Sequence, residues 1–330
     1  MSKYNNYYND NQLTRIIESR SRNKLVEHLR SSFSGEAREL AHRMDRCGDT
    51  RATSDNRVYC RQPACPRCKR AYARQQARSV QDMMAGASRD ALSFVTILFG
   101  VPGCASHVPA TWKKGREALH NRIKAMRGMS DRWDSVQLVG WMEADPFEAQ
   151  QVPLMQSRMR TYLDANGPIL FGEETGWIVH AHLIVHHPRL DWQQVRDALM
   201  CQWKEEHAVD VQPFQQKKYS GQTADIGLFA TTCYALKSTV GRMLFGDSGK
   251  AIDVHPASWL ADLHTALYAE AKGFKSWRVK INAACPSSEV TLVHGDGGHL
   301  LDGPSAYSAD DIMDHAWLTN DLDELFASLL

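Results

Sequence analysis

Histidines at alternate positions of an apolar segment are the residues of this sequence whose spacing most suggests chemistry. The segment reads Gly176-Trp-Ile-Val-His-Ala-His-Leu-Ile-Val-His-His187. In a β-strand, successive side chains point to opposite faces, so His180 and His182 would share one face while the other face is entirely apolar. Two imidazoles held in this way can bind one cation. The alternative is a pair of hydrogen-bonded histidines on a half-buried strand.

A carboxylate is expected as the third ligand, because two histidines alone leave a divalent ion undersaturated. Glu143 is the first choice, since it ends the apolar stretch Leu138-Val-Gly-Trp-Met-Glu143, which would pair beside the histidine strand. Glu174, in the turn just before that strand, is the fallback. The remaining coordination positions would be left for substrate oxygens.

Tyr234 and Lys237 form a candidate nucleophile pair. A predicted helix over residues 226–240 places them one turn apart on the same face. A tyrosine that attacks phosphorus must lose a proton whose reference pKa is about 10, and a neighbouring ammonium favours the phenolate. Taken alone, Tyr-x-x-Lys is also typical of an ordinary surface pair.

Four cysteines precede the first predicted strand of the chain. Cys47, Cys60, Cys65 and Cys68 have the spacing C-x12-C-x4-C-x2-C. Four thiolates in one loop suit a closed tetrahedral zinc site, with His42 as a substitute for Cys47. The alternative is a set of ordinary reduced thiols.

Charge is distributed unevenly along the chain, although the net charge is only +1. Residues 1–90 contain 18 lysines and arginines against 10 acidic residues, whereas residues 281–330 contain nine acidic residues and no lysine or arginine. In the predicted helix 69–84, Arg70, Arg74 and Arg78 recur every four residues, so one face could follow a DNA backbone. The acidic end would repel DNA or compete with it for basic surface, and solvated faces are the alternative for both ends.

The order of predicted elements indicates an α+β fold with an antiparallel sheet of about five strands, in which the histidine strand is central and the nucleophile helix crosses the open face. Strands are predicted at 92–99, 136–142, 177–186 and 209–215, and helices at 13–44, 69–84, 112–126, 146–163, 191–206, 226–240 and 257–271. Three regions follow, namely a basic helical region with the cysteines over 1–90, a central domain over 91–280 and an acidic, loosely attached tail over 281–330. The sequence contains neither a signal-peptide pattern nor an apolar run of about 20 residues, so a soluble, cytoplasmic protein without membrane partners is expected.

Taken in order, these motifs resemble those of the HUH endonucleases, and among them the replication initiators of small rolling-circle plasmids. Phe94-Val-Thr-Ile-Leu-Phe99 is similar to the family's first motif, His180-Ala-His182 to its metal motif and Tyr234-Ala-Leu-Lys237 to its nucleophile motif. Gly140-Trp-Met-Glu143 resembles the strand that supplies an acidic residue, and Trp192 and Trp203 fall in a helix where relatives carry tryptophans. The resemblance covers about residues 45–240. The positions of a second tyrosine hold Ala230 and Ser238, which implies a single catalytic tyrosine.

The resemblance implies a nicking domain over 91–280 that acts on single-stranded or cruciform origin DNA, with room for a host helicase as a further partner. Tyr234 would displace the 3′ oxygen of the scissile phosphate, leaving a 5′-phosphotyrosine and a free 3′ hydroxyl. Mg²⁺ or Mn²⁺ is expected at the histidines, because imidazole and carboxylate without thiolate do not demand zinc. Related initiators carry a Cys-Pro-x-Cys element before the first motif, in agreement with structural zinc at the cysteines. Bases could stack on Trp112 or Trp192.

Two alternatives remain. A transposase or mobilisation relaxase would use the same chemistry on another DNA partner, although the third metal histidine of relaxases and the paired tyrosines of related transposases are not evident. A zinc-containing DNA-binding regulator would have no catalytic activity.

Overall fold

The structure is a computed structural model, and it describes residues 4–48, 50–51, 54–57, 59–170, 174–214, 224–236, 241–246, 249–270 and 273–284. Lys237 and nearly all of the predicted acidic tail lie outside the described residues.

Helices and strands alternate along much of the described chain. The helices are α1 (Tyr4–Ser31), α2 (Gly35–Asp45), α3 (Pro66–Met83), α4 (Val108–Met129), α5 (Ser157–Asn166), α6 (Trp192–Met200), α7 (Ala224–Tyr234) and α8 (Ala257–Glu270). The strands are β1 (Thr50–Arg51), β2 (Ser54–Arg57), β3 (Leu92–Gly100), β4 (Gln137–Glu148), β5 (Thr175–His186), β6 (Val209–Pro213), β7 (Gly241–Gly246), β8 (Gly249–Val254) and β9 (Arg278–Ile281). None of the described helices is both long enough and apolar enough to cross a bilayer.

Five of the strands form one antiparallel sheet in the order β6-β3-β5-β4-β9. The α+β class, the five-stranded antiparallel sheet and its flanking helices are as predicted, and the histidine strand β5 is the central one. In its register, His182 lies opposite Thr96 of β3 and Trp141 of β4, and His180 lies opposite Glu143 of β4. Two small antiparallel pairs, β1 with β2 and β7 with β8, lie outside this sheet.

The two faces of the sheet bury different residues because side chains alternate along each strand. On one face, Val179, Ala181 and Leu183 are fully buried against a core to which α4 and α6 contribute. Burying such a side chain stabilises the fold by roughly 1.5–3 kcal/mol for each valine or leucine. The other face, here named the histidine face, carries Glu143, His180 and His182 and is covered by α3 and α7.

The N-terminal helices share a small core with the last described helix. Leu29 of α1 and Leu40 and Met44 of α2 are buried with Leu260 and Tyr268 of α8. Cys47, Cys60, Cys65 and Cys68 belong to the same core. Residues 1–90 therefore contact a helix of the predicted central region directly.

The predicted helix over 146–163 is wrong in its first half, because β4 continues to Glu148. Met142 N–H donates to Trp277 O on the side of β4 that faces β9, and Pro146, four residues further on, has its nitrogen on that same side. Since β9 lies alongside only Leu138 to Trp141, the proline removes no ladder hydrogen bond. A short 3-10 helix, Ala149–Leu154, then leads to α5.

Two further helices end before their predicted boundaries. Asp191 caps α6 as predicted, but the helix ends at Met200 instead of residue 206, and Trp203 lies beyond it with its ring edge-to-face against Phe99. The polar residues after Trp203 are exposed and His207 has φ of 65°, which is incompatible with a continuing helix. The predicted helix 226–240 is found as far as Tyr234, where a turn begins, and residues 237–240 lie outside the described part of the chain.

Candidate metal centres and nucleophile

Glu143, His180 and His182, here named the Glu-His-His cluster, converge at the middle of the histidine face. Glu143 Oε2 lies 3.4 Å from His180 Nε2 and 3.5 Å from His182 Nε2. One ligand atom from each residue lies within 4.8 Å of the other two, and all three side chains are buried. The structure thus brings together the two predicted histidines and the first-choice carboxylate.

The donor set of this cluster fits a divalent cation. Both carboxylate oxygens of Glu143 are buried without a hydrogen-bond partner among the described residues, although an ionised carboxylate in such a position needs compensation. An ion with bonds of about 2.1 Å holds its neighbouring ligands about 3.0–3.4 Å apart, close to the separations present here. Imidazole and carboxylate ligands without thiolate agree with Mg²⁺ or Mn²⁺.

Hydrogen bonds to the outer ring nitrogens orient both histidines. Thr96 Oγ1 lies 3.0 Å from His182 Nδ1, and His180 Nδ1 donates to the carbonyl oxygen of Ile178 at 3.3 Å. These contacts leave both Nε2 atoms directed at Glu143, as expected of metal-binding imidazoles. The Thr96 contact follows from register, because Thr96 lies opposite His182 on β3.

A second carboxylate lies beside the cluster. Burial lowers the pKa of His180, but its interaction with Glu143 and the charge of Asp145 outweigh it, so the pKa is raised overall. Asp145 is half-buried and lies on the same face as Glu143, two residues along β4. The sequence analysis did not select Asp145, although residues two apart in a strand share a face and Asp145 therefore follows from Glu143 if the strand continues. Together, the two carboxylates make this site attractive to a cation.

Tyr234 lies beside the Glu-His-His cluster. It is the last residue of α7, is half-buried and has its ring centroid 5.5 Å from that of His182 and 6.1 Å from that of Phe94. The phenol is therefore on the histidine face of the sheet. Glu174 is exposed just before β5 and is not part of the cluster.

Cys47, Cys60, Cys65 and Cys68, here named the cysteine cluster, converge where the loop that follows α2 meets the first turn of α3. Their sulfur atoms are 3.4 Å (Cys60 to Cys68), 3.5 Å (Cys47 to Cys68) and 3.6 Å (Cys65 to Cys47) apart, and none of them forms a disulfide with a described cysteine. Tetrahedral zinc with Zn–S bonds of about 2.3 Å places sulfurs about 3.8 Å apart, so the cluster fits this ion. His42 is exposed on α2 and is not part of the group.

The chain around the cysteine cluster holds the thiols in place. Pro66 occupies the first turn of α3, where its missing N–H is not needed, and the Arg61 backbone N–H points at Cys68 Sγ from 3.3 Å. Arg67 Nη1 donates to the carbonyl oxygen of Cys47 at 3.1 Å. Hydrogen bonds from the other three thiols lower the pKa of Cys47, which favours a thiolate in this group.

The three arginines predicted to follow DNA occupy different surroundings. Arg70 forms an ion pair with the buried Glu18 of α1. Arg74 is half-buried near α7, where burial raises the pKa of Cys233 to about 12 and the arginine charge opposes the rise. Arg78 is exposed. Two of these side chains therefore contact neighbouring helices.

The aromatic residues predicted to stack on bases also differ. Trp112 is buried on α4, donates to the carbonyl oxygen of Ser276 at 3.2 Å and packs edge-to-face on Trp277, so the prediction that it is available to a base is wrong. Trp192 is half-buried, and the Arg196 guanidinium lies over its ring at 5.6 Å.

Searches of the chain against protein-family models, curated protein sequences and solved structures gave no match. The resemblance to HUH endonucleases therefore depends on the motifs of the sequence itself.

Proposed function

We propose that this protein is a metal-dependent endonuclease that nicks single-stranded DNA through Tyr234 and acts as an initiator of rolling-circle replication. The observation that carries the proposal is the position of the Tyr234 phenol, whose ring lies 5.5 Å from the ring of His182 in the Glu-His-His cluster. A nucleophile and a cation site this close can both contact one phosphate group.

The reaction is an in-line displacement at phosphorus. The Tyr234 oxygen forms a bond to phosphorus, the bond between phosphorus and the 3′ oxygen breaks, the phenol releases its proton to solvent and the 3′ oxygen gains one. The products are a 5′-phosphotyrosine link and a free 3′ hydroxyl that can prime synthesis. Held by the Glu-His-His cluster, Mg²⁺ or Mn²⁺ would supply positive charge that stabilises the phosphate in the transition state.

The chain's own residues have distinct roles in this scheme. Glu143, His180 and His182 would hold the cation, and Thr96 orients the ring of His182 through its hydrogen bond at 3.0 Å. Tyr234 is half-buried, so part of the side chain remains accessible, and its edge-to-face contact with Phe94 helps to hold the ring in place. Lys237 would stabilise the phenolate, as the Tyr-x-x-Lys motif implies.

The cysteine cluster is proposed to bind structural zinc. Four buried thiols satisfy a tetrahedral ion completely, which leaves no position for substrate. The cluster includes Cys68 of α3 and Cys65 at the N-terminus of that helix, and α3 packs against α7, which ends at Tyr234. Zinc at this position would therefore support the helix that holds the nucleophile helix in place.

The proposal is tested with a pool of single-stranded oligonucleotides of random sequence, because the target sequence is not known. The purified protein with Mn²⁺ is expected to form a covalent protein–DNA complex that survives denaturing electrophoresis, and chelator should prevent it. Tyr234→Phe should form none while it retains DNA binding. A non-catalytic regulator would bind the pool but form no covalent complex, and that result would refute the proposal. Sequencing of the attached strands identifies the nick site and thereby separates an origin from a transposon end.

A further inference from the structure

Buried polar groups without partners concentrate on the histidine face. Apart from Glu143, the side chains concerned include Gln76 of α3, Thr231 of α7 and Arg278 of β9, each with a buried polar atom that has no hydrogen bond to a described residue. Gln76 and Thr231 lie on the sides of their helices that pack here, next to the core residues Ala73 and Leu228. Arg278 differs from the others because it carries a full positive charge.

The strand register places Arg278 in one row with the Glu-His-His cluster. Trp141 of β4 lies opposite His182 of β5 on one side and opposite Arg278 of β9 on the other. Paired residues of antiparallel strands point to the same face, so Arg278 lies on the histidine face, two strands or about 10 Å from His182 at the backbone. Val279, the next residue, is buried on the opposite face, as alternation requires.

Arg278 shares the histidine face with the carboxylate of Glu143, which lies two residues along β4 from Trp141, but the two side chains form no ion pair. Its Nε is buried without a hydrogen-bond partner, and no described carboxylate forms an ion pair with it. The side chain as a whole is half-buried, so part of the guanidinium is accessible to solvent. Burial raises the pKa of Tyr72 of α3, and interactions with Trp141 and with the charge of Arg278 oppose the rise. A fixed guanidinium of this kind is suited to an anion with several acceptor oxygens.

The strand that carries Arg278 lies at the edge of the sheet. β9 is the last strand of the sheet formed by the described residues, and Lys280, two residues beyond Arg278 on the same face, is exposed. Two cations, one half-buried and one exposed, therefore lie on the histidine face of this edge strand.

We infer that Arg278 binds a backbone phosphate of the single strand next to the phosphate that Tyr234 attacks, and so positions the strand across the histidine face. This inference rests on the proposed action on single-stranded DNA. Arg278 acts on the DNA backbone, so it contributes to binding whether or not the strand is cut.

The test measures binding of a labelled oligothymidylate to the full chain at several salt concentrations, in a Tyr234→Phe background that cannot nick. Arg278→Gln is expected to weaken binding about 5–10-fold near 0.1 M salt, and to reduce the slope of log affinity against log salt by about 0.7, the value for one phosphate contact on a single strand. Arg278→Lys should restore the slope, because it retains the charge. Arg132→Ala, which removes an exposed arginine in a segment that packs on the opposite face, is the control and should change neither quantity.

Equal affinities and slopes for Arg278→Gln and Arg278→Lys would overturn the inference, as would an equal loss in Arg132→Ala. Thermal unfolding of each variant checks that the fold is intact, and binding is compared at a temperature at which every variant is folded. The two proposals can fail separately. If no covalent complex forms but DNA binding depends on Arg278, only the nicking activity is refuted. If a covalent complex forms but DNA binding does not depend on Arg278, only the role of Arg278 is refuted.

Discussion

The cysteine cluster and the Glu-His-His cluster are both buried groups of metal-ligand side chains, but they leave different positions for a further molecule. The four sulfurs of the cysteine cluster are as many ligands as tetrahedral zinc takes, and their residues belong to the core shared by α1, α2 and α8. The Glu-His-His cluster offers three ligands and has the half-buried Tyr234 at its side. A complete ligand set suits an ion that holds a fold together, and an incomplete set beside a nucleophile suits an ion that meets a substrate.

The largest expected effect comes from removing a ligand of the incomplete set. His182→Ala should reduce nicking by roughly 10³-fold or more, because the phosphate loses the charge that the cation supplies, while the unfolding temperature changes little. Nicking rates with Mn²⁺ and thermal unfolding measure the two quantities. His186→Ala is the matched control, because His186 lies on the same face of β5 but outside the cluster. Equal losses in both variants would mean that the cluster has no special role.

Removing a ligand of the cysteine cluster should mainly lower stability, whereas removing a ligand of the Glu-His-His cluster should mainly lower activity. Cys65→Ser is expected to lose bound zinc and to lower the free energy of unfolding by about 3–5 kcal/mol, because a structural metal contributes directly to folding. Metal analysis of the purified protein and urea unfolding measure these effects. Cys104→Ser, at a half-exposed cysteine outside the cluster, should change neither. A Cys65→Ser protein with full zinc content and wild-type stability would contradict the assignment.

A smaller effect is expected from removing the hydrogen bond that orients His182. Thr96→Val keeps the shape of the side chain but removes the hydrogen bond to Nδ1, so Mn²⁺ affinity should fall about 10–100-fold with the fold intact. Titration of Mn²⁺ by calorimetry measures the affinity. Thr96→Ser, which retains the hydroxyl, should stay near wild type, and an equal loss in the serine and valine variants would show that the hydrogen bond is not what matters.

The stability of the core beside the cysteine cluster should depend on pH through His264. Burial, and to a lesser extent the charge of Lys69, lowers the pKa of His264 to about 3. The unfolded chain, with a histidine pKa of about 6.5, therefore takes up this proton first, and stability is lost as the pH falls from about 6.5 toward 3, by up to about 1.4 kcal/mol for each pH unit.

His264→Phe keeps a ring that can stack on Trp277 but removes the titration, so its stability should fall less steeply between about pH 6.5 and pH 5. Urea unfolding across this range compares the two proteins. Identical slopes would contradict the neutral, buried state of His264.

The sequence was most informative where the two-residue alternation of a β-strand decides which side chains share a face. Alternation along β5 separated His180 and His182 from Val179, Ala181 and Leu183, and the structure places the two groups on opposite faces. Short elements were harder, because the four residues of β9 carry too little pattern to separate a strand from a loop.

The neighbours of the site required the pairing of strands that are distant in sequence. Thr96, Trp141 and Arg278 form one row with His182 only because β3, β4 and β9 take a particular register beside β5, and no local pattern specifies that register. The end of α7 at Tyr234 was missed for a different reason, since residues up to 240 continue a helical pattern while the chain turns after the tyrosine.

The most direct test of the proposed chemistry is the identity of the residue that becomes attached to DNA. After reaction with single-stranded oligonucleotides and Mn²⁺, the protein is digested with protease and nuclease, and the modified peptide is sequenced by mass spectrometry. The account predicts a nucleotide attached through its 5′ phosphate to Tyr234. Attachment at another residue, or DNA cleavage that passes through no covalent protein–DNA complex, would contradict it.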